Sequence, residues 1–320
     1  MNNRKGGKMI TIGIDIGGTK IYIAPVQNGE ILGEPFKFST PKTAQEVVNV
    51  VTGSVEKILA KYPECKIVGI ATAGAVNKEN TKVTGATGNM PEGYTEIDFA
   101  GILESRFGLK TLIENDANAA AYAEYKIGAA QGHSDTITIT LGTGIGGGII
   151  IDGKLLRGKS GVAAEVGHIQ LSEVPKRQCT CGSYDCWESY ASGTGYAINA
   201  KEMLLEVPPK DRGFLKEKNI DEITSYDVIE GKNQGDVLCQ KIHDRWESLV
   251  LKGLVALGNI FDPESFVISG GLVNCIDIEK MEVELNSLLT ASKDIKILRA
   301  QAGNFAGMLG AVLLAEEKLG

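Results

Sequence analysis

The chain has 320 residues, 43% of them hydrophobic, and 40 acidic against 33 basic side chains give it a net charge of −7. This length suits about two domains, each with its own core. The acidic balance argues against nucleic acid as a partner, because phosphate backbones are bound by clustered Lys and Arg. No apolar run reaches the roughly 18 residues of a membrane span and no signal segment is present, so we expect a cytoplasmic protein without a membrane partner.

The two halves of the sequence begin alike. After residues 1–8, which are polar and which we interpret as a disordered leader, Gly17–Lys20 and Gly142–Gly144 each form a glycine-rich turn between β-rich runs. Each turn is followed by a hairpin signal, Asn28-Gly29 or Asp152-Gly153. This repeat predicts two related α/β lobes facing across a cleft, at residues 9–133 and 134–320, with a C-terminal helix that packs back on the first lobe.

Apolar periodicity predicts the elements between these turns. A helical stripe runs from Val47 to Leu59, and one long helix extends from Val237 to a stop near Asp262-Pro263. Strand patterns lie at residues 66–71, 111–113 and 265–269. The alternation of strands and helices favours the α/β class.

The glycine-rich turns are candidate phosphate-binding sites, because glycine lets backbone N–H groups approach an anion closely. The first turn consists of Gly17, Gly18, Thr19 and Lys20, and the second of Gly142, Thr143 and Gly144. The second turn formally matches a dinucleotide fingerprint, but strand residues follow it, so no helix N-terminus would meet the pyrophosphate. Two ordinary hairpins remain the alternative for each turn alone, whereas the matched pair favours phosphate binding.

Three further features bear on a nucleotide site. Asp15 precedes the first turn, where its carboxylate can hold hydrated Mg²⁺. The later turns Gly270-Gly271 and Gly303-Asn304 can approach the nucleoside end of ATP, and ordinary strand-to-helix turns are an equally good interpretation of both.

An acidic centre follows the strand that ends near Ile113. Asp116 stands where a helix opens, so it can simply cap that helix. Beside a phosphate site it can instead accept the proton of a sugar hydroxyl that attacks the γ-phosphate of ATP. We choose Asp116 as this base, and Asn115 as the side chain that orients the sugar.

A cysteine and histidine cluster occupies the segment between Glu165 and Glu188. It contains the residues His168, Cys179, Cys181 and Cys186. Thiolates and an imidazole at this spacing can close a tetrahedral site around Zn²⁺. A structural zinc knuckle and a zinc-built polar pocket for a small sugar or polyol are both compatible with the pattern.

Together these motifs resemble the ROK (repressor, open reading frame, kinase) family of sugar kinases and regulators, over residues 9–319. The resemblance rests on five motifs in order: Asp15–Lys20, Glu114–Asn118, Leu141–Gly148, Glu165–His168 and Cys179–Glu188. It implies two ribonuclease-H-like lobes of the hexokinase, actin and Hsp70 superfamily around a central cleft. It also implies a homodimer, with a hexose and MgATP as small-molecule partners.

The resemblance carries roles onto matching positions. Asp116 is the implied base, and the four residues of the cysteine and histidine cluster are the implied ligands of a structural zinc. The residues implied to contact the sugar are Asn89, Asn115, Asp116, Glu165, His168 and Glu188. Ala164 and Asp185 depart from the pattern, because each replaces a common glycine.

We therefore expect an ATP-dependent kinase that phosphorylates the 6-hydroxyl of a hexose, with glucose as the first candidate. N-acetylmannosamine or another N-acetylhexosamine is the alternative, and polyphosphate stays open as a donor. A sugar-responsive transcription regulator ranks lower, since only about a dozen residues precede Asp15, too few for a DNA-binding domain.

Overall fold

The computed structural model describes residues 9–86, 88–172 and 176–320, so the predicted leader at residues 1–8 lies outside the described residues. The chain divides into two compact units. The first unit comprises the chain up to Ser134 together with Gly148–Ala164 and Ala300–Gly320, and the second comprises Asp135–Gly147 and Glu165–Arg299. Among the described residues, no helix is long and apolar enough to span a lipid bilayer.

The described residues form 13 strands and nine α-helices, in which groups of consecutive strands are separated by one or more helices. The strands are β1 (Ile10–Ile16), β2 (Lys20–Gln27), β3 (Glu30–Ile31), β4 (Phe36–Ser39), β5 (Ile67–Thr72), β6 (Ala75–Val76), β7 (Val83–Gly85), β8 (Lys110–Asn115), β9 (Thr136–Leu141), β10 (Ile145–Ile151), β11 (Lys154–Leu155), β12 (Ser265–Ser269) and β13 (Lys296–Arg299). The α-helices are α1 (Ala44–Lys61), α2 (Phe99–Phe107), α3 (Asp116–Ile127), α4 (Glu188–Ala191), α5 (Gly193–Leu205), α6 (Ser225–Asn233), α7 (Val237–Phe261), α8 (Ile278–Leu288) and α9 (Ala306–Leu319).

The first sheet has the strand order β3-β2-β1-β5-β8, with β4 also paired to β2. Strands β1, β5 and β8 are parallel, while β2 runs antiparallel to β1. In the parallel register Ile16 pairs with Thr72, and Thr72 pairs with Asn115. The carboxyl ends of three strands therefore meet at one edge, which is where open α/β sheets place their ligand sites.

Helix α9, from the end of the chain, packs against the first sheet and α3. Glycines permit this approach: a Cβ on Gly310 would lie 1.7 Å from the Ala119 carbonyl oxygen, and one on Gly69 would lie 2.5 Å from the Ala311 backbone. Both positions exclude any side chain, because real Cβ contacts are not shorter than about 3 Å. The backbone contact of α9 with α3 fixes the helix whose first residue is Asp116.

The second sheet has the strand order β11-β10-β9-β12-β13, in which β9, β12 and β13 are parallel. Helix α7 covers 25 residues and ends before Asp262, as the sequence predicts. Its Trp246 is fully buried and stacks on Tyr196 of α5, with 4.6 Å between ring centroids. This aromatic stack joins the two longest helices of the second unit.

The predicted repeat is confirmed at the level of strands and turns. Strands β1-β2-β3 and β9-β10-β11 are meanders, each with a glycine-rich turn between its first two strands. The hairpin signals are confirmed as well, because Asn28 and Gly29 have φ values of 55° and 77°, and Asp152 and Gly153 have values of 49° and 69°. Two successive positive φ angles define a type I′ turn, which Asn-Gly and Asp-Gly favour.

Candidate active site

The first glycine turn is held in shape by backbone and threonine hydrogen bonds. The Gly17 N–H donates to the Lys20 carbonyl at 3.0 Å, and the Thr40 hydroxyl donates to the Gly17 carbonyl at 2.6 Å. Thr19 and Lys20 are exposed, so a hydroxyl and an ammonium are available to an anion. Asn89 lies against this turn, because a Cβ on Gly18 would be 2.8 Å from that of Asn89.

Asp15 and Asp116 form an acidic pair in the first unit. Burial raises the pKa of Asp15 to about 7, and the negative charge of Asp116 raises it further in the same direction. Helix α9 approaches both residues, since a Cβ on Gly307 would lie 3.6 Å from the Asp15 Oδ2 and 3.7 Å from the Asp116 carbonyl oxygen. A half-buried carboxylate repelled by a second one suits a divalent cation, which would remove the repulsion.

Asp116 is the first residue of α3, and its side chain is exposed. The alternative that Asp116 caps the helix is wrong, because the N-cap is Asn115. The Asn115 Oδ1 accepts from the N–H groups of Ala117 and Asn118 at 3.0 and 3.1 Å. The Asp116 Oδ1 accepts from the N–H of the next residue, Ala117, at 2.8 Å. Its exposed carboxylate at a helix N-terminus is therefore placed to meet a ligand.

The Asn115 side chain also ties α3 to the loop after β5. Its Nδ2 donates to the Gly74 carbonyl at 3.0 Å, which leaves one N–H of that amide without a partner among the described residues. The predicted sugar contact of Asn115 must use this remaining donor, since the side-chain oxygen already accepts two backbone N–H groups.

A buried polar network under Asn115 escapes sequence reasoning. Glu114 is fully buried and forms an ion pair with Arg157, and it also accepts from Asn80 at 2.9 Å and Asn118 at 3.3 Å. Arg157 donates in addition to the Asn77 carbonyl at 2.7 Å. The only sequence signal is a charged residue inside an apolar strand. The network joins β8 to the loop between β6 and β7.

The predicted metal cluster is assembled in the second unit. The ligand atoms of His168, Cys179, Cys181 and Cys186 all lie within 4.8 Å of one another. Two edges, from the Cys181 to the Cys186 sulfur and from the Cys179 sulfur to the His168 Nδ1, measure 3.7 Å. A tetrahedron with metal–sulfur bonds of about 2.3 Å has edges of about 3.7 Å, so this donor set fits zinc.

The thiol environments agree with a metal site. The Ser183 backbone N–H holds the pKa of the exposed Cys181 thiol below its usual range, whereas burial raises that of Cys186 to about 12. A thiol as buried as Cys186 ionises at neutral pH only when a cation replaces its proton.

The two acidic residues that border the cluster have different surroundings. Glu165 is exposed, and its Oε2 lies 3.9 Å from the His168 Nε2, the nitrogen that faces away from the cysteines. Glu188 instead accepts from the Ile145 N–H at 2.8 Å through Oε2, while Oε1 lies 3.6 Å from the Cys179 sulfur. Of the two, Glu165 is the more available to a ligand.

A cavity of about 450 Å³ opens beside the second glycine turn within the second unit. The residues that line it are Gly142, Thr143, Gly193, Thr194, Ala197, Ile223, Thr224, Ser225, Tyr226, Gly271 and Leu272. Three predicted nucleotide residues, Gly142, Thr143 and Gly271, line this cavity, whereas Gly270 supports it with a φ of 92°. Gly303 and Asn304 belong to the first unit, in the turn before α9. The residues of α5 and α6 that line this cavity belong to none of the motifs above, so the sequence did not predict them.

Comparison of this chain with known proteins identifies its family. The sequence profile of the ROK family matches residues 11–318. The chain belongs to the ROK family. It is 39% identical to a glucokinase from Streptomyces coelicolor, over 96% of this chain and 98% of that protein. It is also 39% identical to an N-acetylmannosamine kinase from Vibrio cholerae, over 62% of this chain and 67% of that protein.

A solved structure extends the comparison to three dimensions. The ROK family glucokinase from Streptomyces griseus, in complex with glucose and AMPPNP, is 37% identical and covers 96% of this chain and 99% of its own, with a TM-score of 0.77. The predicted family and the predicted class of two ribonuclease-H-like α/β lobes are thereby confirmed.

Proposed function

We propose that this ROK protein is an ATP-dependent hexose kinase that transfers the γ-phosphate of ATP to the 6-hydroxyl of glucose. The observation that carries the proposal is the likeness to the Streptomyces griseus enzyme, whose structure contains glucose and an ATP analogue. The intact acidic pair and both glycine turns support it, because phosphoryl transfer requires positioned phosphates, neutralised charge and a base near the attacking hydroxyl.

In the first unit, Asp116 is the proposed base. Its exposed carboxylate at the start of α3 accepts the proton as the sugar oxygen attacks phosphorus. Asp15 is proposed to hold Mg²⁺ through water, since a cation offsets the repulsion that raises its pKa. Gly17–Lys20 supplies donors to a phosphate, and Asn89 and Asn115 supply amides to sugar hydroxyls.

In the second unit, the cavity beside Gly142–Gly144 is proposed to hold the nucleotide. The cysteine and histidine cluster is proposed to bind a structural zinc, which would fix the loop that carries Glu165. His168 would bind the metal through Nδ1, leaving its Nε2 as a donor to a sugar hydroxyl. Glu165 and Glu188 are the proposed acidic sugar contacts.

N-acetylmannosamine is the second candidate substrate, favoured by the Vibrio cholerae relative. That relative matches 62% of this chain, whereas the Streptomyces coelicolor glucokinase matches 96%, so glucose ranks first. A homodimer and a cytoplasmic location belong to the same proposal and rest on the family resemblance and on thiols placed for metal rather than for disulfides.

The test is formation of the phosphorylated sugar across a panel of glucose, N-acetylmannosamine, N-acetylglucosamine, mannose and fructose, with MgATP as donor and polyphosphate as a second donor. We expect glucose with ATP to give the highest kcat/KM. If only N-acetylmannosamine were phosphorylated, it would take the place of glucose as the proposed substrate. If the folded protein phosphorylated none of the sugars in the panel, the kinase assignment would be refuted.

Asp116→Asn should lower kcat by at least about 100-fold while sugar binding, measured by calorimetry, is retained. Asp152→Asn is the matched control. It makes the same chemical change in a type I′ hairpin where asparagine fits equally well, as at Asn28. If Asp116→Asn kept as much as about a tenth of the wild-type kcat, Asp116 would not be the base.

A further inference from the structure

The second glycine turn, Gly142–Ile145, is held by groups around it rather than by its own sequence alone. Within the turn the Gly142 N–H donates to the Gly144 carbonyl at 3.0 Å. The start of α5 holds one side, where the Gly193 N–H donates to the Gly142 carbonyl at 2.8 Å and the Thr194 hydroxyl donates to the Thr143 carbonyl at 2.9 Å. These three hydrogen bonds hold the turn from within and from the side of α5.

Glu188 holds the other side of the same turn. Its Oε2 accepts from the Ile145 N–H at 2.8 Å. It also lies so close to Gly144 that a Cβ there would be 2.4 Å from Oε2. A side chain at position 144 would therefore displace the Glu188 carboxylate from this place.

The second oxygen of Glu188 faces the metal cluster. Oε1 lies 3.3 Å from the Thr180 hydroxyl and 3.6 Å from the Cys179 sulfur. The backbone of Glu188 is placed by its neighbours, since Cys186 is a cluster member and Trp187 is fully buried with its Nε1 bonded to the Leu249 carbonyl at 2.8 Å. One carboxylate thus spans the distance from the cysteine and histidine cluster to the glycine turn.

Building on the proposed function, we infer that Glu188 is a positioning residue through which zinc occupancy sets the affinity for the phosphates of ATP, independently of sugar. When Cys179 and Cys186 share a metal, Glu188 is held against the Ile145 N–H and the turn keeps its shape. When the metal leaves, the thiols relax, Glu188 loses its fixed place, and the turn samples other conformations that bind phosphate less well. The ligand concerned is a nucleoside triphosphate with its Mg²⁺.

The test measures binding of AMPPNP with Mg²⁺ by calorimetry, without sugar, to the zinc-loaded full-length chain. Glu188→Ala should weaken binding about tenfold, the size expected for loss of one hydrogen bond to a charged acceptor. Glu188→Gln should stay within about twofold of wild type, because its amide oxygen accepts the Ile145 N–H and its amide nitrogen donates to the Cys179 sulfur.

Thr180→Val is the matched control, since it removes a contact to Oε1 and leaves the Oε2 bond intact, and its affinity for AMPPNP should be unchanged. Zinc content and thermal melting of each variant show whether metal and fold are retained.

A second measurement needs no variant. Removal of zinc from the wild type by a chelator should weaken AMPPNP binding as Glu188→Ala does, and addition of zinc should restore the affinity.

Three results would overturn the inference while the proposed function stands. The first is wild-type affinity in Glu188→Ala with zinc bound, and the second is wild-type affinity in the zinc-depleted protein. The third is equal weakening of AMPPNP binding by Glu188→Gln and Glu188→Ala. It would mean that the charge of the carboxylate, and not its hydrogen bond to the Ile145 N–H, supports nucleotide binding. Failure of the wild type both to bind AMPPNP and to phosphorylate a hexose would instead refute the proposed function.

Discussion

Replacing Asp15 by asparagine should stabilise the ligand-free protein at neutral and alkaline pH while abolishing phosphoryl transfer. Burial, reinforced by the charge of Asp116, raises the pKa of Asp15 from 3.8 to about 7. The unfolded chain therefore releases the Asp15 proton at lower pH than the folded chain does. Between these two values the folded state binds more protons, so stability falls as pH rises, and above pH 7 the loss is complete.

The size of the effect follows from the shift, because each pKa unit corresponds to about 1.4 kcal/mol. From pH 5 to pH 8, ionisation of Asp15 should cost the wild type about 3 kcal/mol of unfolding free energy, and the Asp15→Asn variant should escape this cost. The variant gains stability by losing the carboxylate proposed to hold Mg²⁺, which is the trade-off expected where a site stores unfavourable charge.

The assay is urea unfolding of wild type and Asp15→Asn at pH 5 and pH 8 without Mg²⁺ or nucleotide, since subtracting the two proteins cancels the titrating groups that do not interact with Asp15. Asp152→Asn serves as control, because that aspartate lies in the hairpin turn between β10 and β11. Adding Mg²⁺ at pH 8 should reduce the advantage of the variant. A difference between the proteins that does not change with pH would refute the argument that Asp15 is held protonated.

Three further predictions concern stability and metal. Glu114→Ala should lower the unfolding free energy by about 3–5 kcal/mol in urea titrations, because it leaves Arg157 buried without its partner, and a loss below about 1 kcal/mol would contradict the network. Ala164→Gly should raise stability by up to about 1 kcal/mol, read as a higher melting temperature, because Ala164 has a φ of 71° that disfavours any Cβ. Cys181→Ser should lose zinc in elemental analysis while Cys65→Ser, outside the cluster, keeps it; retained zinc in the first variant would exclude Cys181 as a ligand.

Local patterns carried the sequence predictions that the structure confirms. Asn28-Gly29 and Asp152-Gly153 predict type I′ hairpins because few residues tolerate two successive positive φ angles. The end of α7 before Asp262 is equally local, since the following proline cannot continue a helix. Asp116 shows the limit of such signals. Asparagine and aspartate are comparable N-caps, so the sequence Asn115-Asp116 does not say which of them caps α3.

What the sequence could not predict depends on contacts between distant segments. The ion pair of Glu114 with Arg157 joins residues 43 positions apart, and neither residue belongs to a periodic pattern that marks the contact. The cavity beside the second glycine turn is lined by Thr194 and Tyr226, which lie on helices without a motif of their own. Residues whose role comes from tertiary packing carry no local signature, and only the fold brings them to the site.

Ala164 and Asp185 show how one departure from a family pattern can be compensated and another not. Both stand where the family commonly has glycine, and both have positive φ angles, 71° and 56°. Asp185 offsets its backbone conformation with its carboxylate, which accepts from the N–H groups of Lys176 and Arg177 at 3.0 Å and from the Tyr190 hydroxyl. These bonds, that of Tyr190 first, hold the pKa of Asp185 below its usual range.

The methyl group of Ala164 offers no such hydrogen bonds, since it has neither donor nor acceptor. Asp185→Gly should therefore destabilise the loop before Cys186 although it relieves backbone strain, whereas Ala164→Gly should only relieve it. Substitution by glycine thus changes stability in opposite directions at these two positions, and the difference lies in side-chain contacts that a comparison of residue types does not reveal.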